Sequence, residues 1–250
     1  MIHNDSFNFS GKTVLITGAA SGIGAAVASA FAHHSANLRL ADRNGQGLAA
    51  MAEKLSISDE ALMTYDQRQV TDIQRLAAWG ADADVLFNNA GVLGAGPSES
   101  FSDETIQAII ETNLTGPILL ANAIARSMLE RGSGVIINTA SQLAFCGAPE
   151  RAVYSSTKAG LAQFTRAVAA EWAPRGVRVA AIAPGRTLTA INADKFADPE
   201  AKAKALEAIP AGRLGDAGEI ADLVLVLASD VASYVAGHAL IADGGYVVAN

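Results

Sequence analysis

Thr13-Val14-Leu15-Ile16-Thr17-Gly18-Ala19-Ala20-Ser21-Gly22-Ile23-Gly24 is a short apolar strand that runs straight into a glycine-rich turn and then a helix. Glycines let the chain turn tightly and bring backbone amides close to a diphosphate. A helix that begins near Gly22 aims its free N–H groups and positive dipole end at that anion. Gly18, Ser21, Gly22, Ile23 and Gly24 are therefore candidate contacts of a dinucleotide. The spacing is Gly-x-x-x-Gly-x-Gly, one residue wider than the usual fingerprint.

Outward from this turn, apolar runs and helical patterns alternate to the end of the chain. Strand candidates are Thr13–Thr17, Leu38–Ala41, Ala61–Tyr65, Val85–Asn88, Val135–Thr139, Val177–Ala183 and Ala239–Ile241. They are short, and several are apolar on both faces, as parallel strands covered by helices on each side must be. Helical patterns occupy Ile23–His34, Gly45–Leu55, Thr71–Trp79, Asp103–Arg131, Ala152–Pro174 and Ala217–Ser229. The expected fold is α/β: a Rossmann-type, doubly wound, parallel seven-stranded sheet with helices on both faces. No linker divides the chain, so residues 1–250 are read as one domain. Its cofactor half covers about 11–140, and a catalytic and substrate half covers about 141–250. Residues 186–213 hold no strand pattern and include Asp198-Pro199-Glu200, a helix start; a lid is expected there.

Composition narrows the partners. Half of the 250 residues are hydrophobic and 17% are charged, enough to bury a large core. The net charge of −7 argues against broad nucleic-acid binding, which needs a basic footprint. Cys146 is the only cysteine, so no disulfide forms within the chain, and a buried packing thiol is expected. No uncharged apolar stretch has membrane-spanning length and no secretion signal is visible; a cytoplasmic location is the expectation. His3, His33, His34 and His238 show no metal-site spacing.

Asp42 ends the second strand. A carboxylate there accepts hydrogen bonds from both adenosine ribose hydroxyls and repels a ribose phosphate, favouring NAD over NADP. The adjacent Arg43 keeps NADP open, because a basic side chain welcomes the phosphate. Tyr154 and Lys158 stand four residues apart, on one face of a helix. A free phenol has a pKa near 10; a neighbouring ammonium lowers it toward the working range of an acid/base catalyst. Ser141, thirteen residues upstream, supplies a neutral hydrogen bond to the substrate oxygen.

Thr17–Gly24, Asn88-Asn89-Ala90-Gly91, Asn113, Ser141, Tyr154, Lys158 and Pro184-Gly185 occur in an order and spacing that resembles the classical short-chain dehydrogenase/reductase family, over Gly11 to Tyr246. The resemblance implies that Asn89, Ala90 and Gly91 steady the sheet beside the adenosine ribose, and that Asp66 meets adenine, with Gln69 the competing alignment. It implies that Pro184 and Gly185 pass the nicotinamide, and that Thr187 and Thr189 contact the carboxamide and a phosphate. Arg186 between them is atypical and serves either substrate or phosphate. Tyr154 is then the general acid/base, and Lys158 lowers its pKa and bonds the nicotinamide ribose. Ser141 holds the substrate oxygen, and the main chain of Asn113 holds a water in a proton relay. Arg151, three residues before Tyr154, is similar to an arginine that meets the substrate carboxylate in some 3-hydroxybutyrate dehydrogenases. A pocket is expected between Gly94–Pro97, Gln142–Cys146, Arg151 and the lid, made partly apolar by Leu143, Phe145 and Leu188; Arg213 reads as structural.

The implied activity is NAD(H)-preferring hydride exchange with a small secondary alcohol or ketone, such as a polyol, sugar alcohol or short hydroxy acid. An NADP-dependent 3-oxoacyl thioester reductase is the alternative, and a dinucleotide-sensing protein without turnover is the rival from another class. The family usually forms tetramers through the helices read as Asp103–Arg131 and Ala152–Pro174, so a homotetramer is expected.

Overall fold

Each strand in the centre of the protein sends alternate side chains to opposite faces, and both faces are buried. From β1 (Thr13–Thr17), Val14 and Ile16 join one apolar cluster while Leu15 joins the other. The structure is a computed structural model and describes residues 7–189 and 198–249. Helix α1 (Gly22–His33) leads to β2 (Asn37–Asp42), α2 (Gly45–Leu55), β3 (Leu62–Thr64), α3 (Val70–Trp79) and β4 (Val85–Asn88). Next come α4 (Asp103–Ile110), α5 (Gly116–Arg131), β5 (Gly134–Thr139), α6 (Ala152–Trp172) and β6 (Val177–Pro184). Then follow β7 (Thr187–Leu188), α7 (Pro199–Glu207), β8 (Gly215–Asp216), α8 (Ala217–Ala228), β9 (Ala239–Ala242) and α9 (Tyr246–Ala249).

Seven strands pair in the order β3-β2-β1-β4-β5-β6-β9, and every pairing is parallel. All seven expected strands are found, with ends within a residue or so of the expected ones. On one face α1 and α8 close the core through Val27, Phe31, Ile220 and Val224. On the other, α3, α5 and α6 contribute Leu76, Leu120, Ile124, Met128 and Trp172. Each such fully buried side chain favours the fold by roughly 1.5–3 kcal/mol. Strand order reverses between β1 and β4, which opens a crevice at their carboxyl ends.

Two expectations are corrected. Asp103–Arg131 is not one continuous helix: the π turn Glu111–Thr115 separates α4 from α5. Pro117 has no N–H to offer the Asn113 carbonyl four residues back, so the regular ladder fails there. The amide of Gly116 bonds to Glu111 instead of Thr112. By length and hydropathy alone this segment has the character of a membrane span. Its contacts with α3, α6, β4 and β5 account for that apolarity as a core helix. The lid was expected to hold no strand, but Thr187–Leu188 pairs with Gly215–Asp216; the helix start expected at Asp198-Pro199-Glu200 is found, with the Asp198 side chain accepting from the Glu200 amide at the start of α7. Residues 190–197 of the expected lid, and 1–6 of the N-terminus, lie outside the described residues.

Candidate active site

The glycine turn is shaped by its backbone. Gly18 and Gly22 take φ of +68° and +57°, a region that side chains disfavour. Ser21 precedes α1 in extended conformation without a side-chain cap, and the first turn of α1 carries no acidic residue. The first amides of the helix are therefore free of side-chain partners, as an anion site needs. The Gly22 Cα faces Thr189, so the turn and the segment after β6 enclose one space.

That space is a cleft of about 960 Å³ at the carboxyl ends of the central strands. Gly18, Ser21, Gly22, Ile23, Asp42, Arg43 and Asp66 line one end. Asn89, Ala90 and Gly91 line its floor, and Ser141, Leu143, Arg151, Tyr154, Lys158, Pro184, Gly185, Arg186, Thr187 and Thr189 line the remainder. Two expected site residues do not line it. Gly24 packs directly on the Gly18 carbonyl, where only a hydrogen fits. Asn113 is fully buried behind the wall: its Oδ1 accepts from the Val92 amide at 2.8 Å and its Nδ2 donates to the Val92 carbonyl at 2.8 Å. A side chain on Gly91 would meet both Asn113 Oδ1 and Lys158 Nζ, so these groups border one small space. Phe145, Cys146 and Leu188 do not line the cleft, nor do Gly94–Pro97; Phe145 and Leu188 face outward, and Leu143 with Val92 and Leu93 supplies the apolar wall.

The floor is held by hydrogen bonds that the sequence does not advertise. Thr17 Oγ1 accepts from the amides of Asn89 and Ala90, and Asn89 Nδ2 donates to the Thr17 carbonyl at 3.1 Å. Gln67, between the two aligned candidates Asp66 and Gln69, is a buried clamp. Its Nε2 donates to the carbonyls of Ala90 and Thr112, and its Oε1 accepts from the Tyr65 hydroxyl. The Thr112 carbonyl is available because the π turn diverts Gly116 to Glu111. Asp66 lines the cleft with its carboxylate gripped by Arg68, which holds it below the usual carboxylate range. Gln69 does not line the cleft. Asp42 accepts from the amides of Ala20 at 3.0 Å and Asn44 at 2.9 Å, which fixes its carboxylate beside the glycine turn. Arg213 is paired with Glu219 away from the main cleft, consistent with a structural role.

Lys158 is buried, donates to the Thr139 carbonyl at 2.7 Å and lies 5.9 Å from the centre of the Tyr154 ring. Burial brings its pKa from 10.5 down to about 8. Burial pushes the Tyr154 phenol up, and the Ser141 hydroxyl and the Arg151 guanidinium pull it back. Ser141 and Arg151 are thus the groups that oppose burial at the phenol, with the Lys158 ammonium beside its ring. The unfolded chain holds the Lys158 proton until about pH 10.4, whereas the folded one releases it near 8. Between those values the unfolded state binds more protons, so this lysine makes stability rise with pH. Lys158→Met is accordingly expected to unfold later than wild type at pH 7, by up to about 3 kcal/mol less the lost bond to Thr139. The gain should shrink to nothing toward pH 10.5. Denaturant titrations at pH 7 and pH 10 with an equal difference at both would refute this.

Comparison with known proteins adds four facts. A family model described as enoyl-(acyl carrier protein) reductase matches residues 18–247. The chain is 37% identical to D-threitol dehydrogenase of Mycolicibacterium smegmatis, over 97% of this chain and 95% of that protein. It is 37% identical to galactitol 2-dehydrogenase (L-tagatose-forming) of Cereibacter sphaeroides, over 99% and 100%. Among solved structures it is similar to one from Beutenbergia cavernae, provisionally described as an NAD(P)-dependent gluconate 5-dehydrogenase with NADP bound at low occupancy. There the TM-score is 0.91 and the identity 35%, over 97% of this chain and 99% of that one.

Proposed function

This chain belongs to the classical short-chain dehydrogenase/reductase family, and from that premise we propose that it is an NAD(H)-preferring dehydrogenase of a small hydroxylated substrate: a polyol, a sugar alcohol or a short hydroxy acid. One observation carries the reading: the uncapped glycine turn and the group Ser141, Tyr154 and Lys158 border the same cleft. The residues fit a dinucleotide. The free amides at the start of α1 would hold its diphosphate, Asp42 its adenosine ribose, Asn89, Ala90 and Gly91 the floor beneath that ribose, and Pro184, Gly185, Thr187 and Thr189 its nicotinamide end. When bound, the nicotinamide supplies the hydride donor or acceptor.

The protein's own part is proton management and alignment. Tyr154 gives its phenolic proton to the substrate oxygen in reduction and takes it back in oxidation. Ser141 donates to the same oxygen and keeps it within reach of the phenol. Lys158 is close enough to favour the phenolate as it forms. Asn113, its side chain locked to Val92, borders with Lys158 the space beside Gly91, and there its main chain would hold the water that relays the proton outward. The names of the threitol and galactitol relatives support a polyol substrate. The family model's description keeps the NADP-dependent thioester reductase as the second reading. We also expect a homotetramer built on α4–α5 and α6, to be read by light scattering.

The test is a screen of polyols, hydroxy acids and oxoacyl thioesters, each with NAD and NADP. Turnover of a hydroxylated sugar derivative with NAD(H) is expected, and Asp42→Ser should move the NAD/NADP ratio of kcat/KM toward NADP by about 10-fold or more, since a like-charge contact costs several kcal/mol. Reduction of thioesters alone, with NADPH alone, would replace this reading by the second one. An unchanged ratio in Asp42→Ser would remove the ground for NAD preference.

A further inference from the structure

Among the described residues, carboxylates line only one end of the cleft, and Arg43 and Arg68 line it beside them. The two carboxylates that line it, Asp42 and Asp66, both stand at the adenosine end and both are already engaged, by backbone amides and by Arg68. At the other end, among the described residues, the ionisable lining groups besides Tyr154 and Tyr246 are Arg151, Arg186 and Lys158. Lys158 is committed to Thr139. Arg151 donates only to the neighbouring Glu150 carbonyl.

Arg186 stands out. Its backbone is fixed, since its carbonyl accepts from the Gly215 amide at 2.9 Å next to the β7–β8 pairing. Its guanidinium carbon sits 5.9 Å from the centre of the Tyr246 ring, a seat that orients the group without neutralising it. It also borders a smaller cavity of about 180 Å³ with Glu219 and Asp243. Neither of those is available as a partner: Glu219 is held by Arg213, and Asp243 accepts from the amides of Gly245 and Val247. Thr189, three residues on, stands where a side chain on Gly22 would meet it, at the diphosphate side. Arg186 instead leans on α9, away from the glycine turn.

We infer that Arg186, seated on Tyr246, selects a substrate that carries a carboxylate, so that the preferred substrate is a polyhydroxy acid and not the corresponding neutral polyol. The inference rests on the proposed dehydrogenase activity and narrows its substrate class. A guanidinium grips a carboxylate through two parallel hydrogen bonds. Arg151 at the start of α6 lines the same cleft and adds a second positive charge to it.

The experiment uses substrate pairs that differ only in a terminal carboxylate or hydroxymethyl group, D-gluconate against D-glucitol and D-threonate against D-threitol, with the full-length enzyme and saturating NAD. Wild type should prefer the acid. In Arg186→Gln the acid-to-alditol ratio of kcat/KM should fall about 10- to 100-fold, mainly through KM of the acid, the size of a lost hydrogen bond to a charged group. Tyr246→Phe should keep the ratio and Tyr246→Leu should lower it. A ratio that Arg186→Gln leaves unchanged, or a wild-type preference for alditols or for sugar phosphates, overturns the inference while leaving the dehydrogenase intact. If neither member of a pair turns over, the dehydrogenase reading fails on these substrates. The inference is then read from quenching of bound NADH fluorescence by gluconate: Arg186-dependent binding supports it, and no binding overturns it.

Discussion

Tyr154→Phe is expected to lower kcat by about 10³-fold, within the range that a positioned acid/base group supplies, while NADH still binds within a few-fold of wild type. The ring volume is kept, so the cleft should not collapse. Only the hydroxyl beside Ser141 is lost, and with it the proton exchanged with the substrate oxygen. The same phenol sets the pH profile. Burial raises its pKa above the ordinary value near 10, so the free enzyme holds the proton at neutral pH. Alcohol oxidation needs a group that accepts a proton, and should accelerate as pH rises from neutral into the alkaline range. Carbonyl reduction draws on the protonated form and should be favoured at the lower pH. Arg151→Gln removes one of the groups that oppose burial and should carry the alkaline limb of oxidation to higher pH. Steady-state kinetics in both directions between pH 6 and pH 10 reads all of this. A Tyr154→Phe enzyme with a tenth or more of wild-type turnover would remove Tyr154 from the chemistry.

Why the fold could be read in advance follows from how parallel strands are buried. β4, Val85–Asn88, is buried along its whole length, so its sequence is a plain apolar run bounded by polar residues. One helix start was legible for an equally local reason: Asp198-Pro199-Glu200 opens α7, where the Asp198 side chain accepts from the Glu200 amide. What escaped is non-local. Pro117 marks the break locally, but the π turn is held by Gln67 at the vacated Thr112 carbonyl and by the paired hydrogen bonds between Asn113 and Val92, partners 45 and 21 residues apart. A polar residue near a strand end is ordinarily a surface residue, and nothing in the pattern around Gln67 marks it as buried. The outward turn of Phe145 and Leu188 was equally unreadable, because the direction of a side chain in an irregular segment depends on the neighbours it meets. The acidity of Tyr154 shows the same limit. The i, i+4 spacing correctly brought Lys158 near, but the balance between burial, Ser141 and Arg151 depends on the depth of the cleft.

The second large effect is expected from Gly24→Ala, where local propensity and packing oppose each other. Gly24 lies in the first turn of α1, and alanine in a helix is ordinarily favoured over glycine by about 0.8–1 kcal/mol. Here a Cβ would stand 2.0 Å from the Gly18 carbonyl oxygen, 2.7 Å from its carbon and 2.9 Å from Asn89 Nδ2. None of these neighbours yields easily. Gly18 already occupies positive φ, and Asn89 is tied to Thr17 through both its amide and its side chain. Relief requires α1 to move off the turn, which opens the space where the first amides converge. Overpacking of this kind costs roughly 1–3 kcal/mol, enough to overturn the propensity gain. Dinucleotide affinity should suffer more than stability, because the amides that would face the diphosphate move with the helix: about 100-fold in Kd if two charge-assisted hydrogen bonds are lost. Gly147→Ala, whose Cβ would meet nothing within 4 Å, should leave both quantities unchanged and serves as the control. Calorimetry of unfolding together with NADH titration decides the matter: a Gly24→Ala protein that is stabilised and binds NADH normally would mean that helix α1 does not need to touch the turn to hold the dinucleotide.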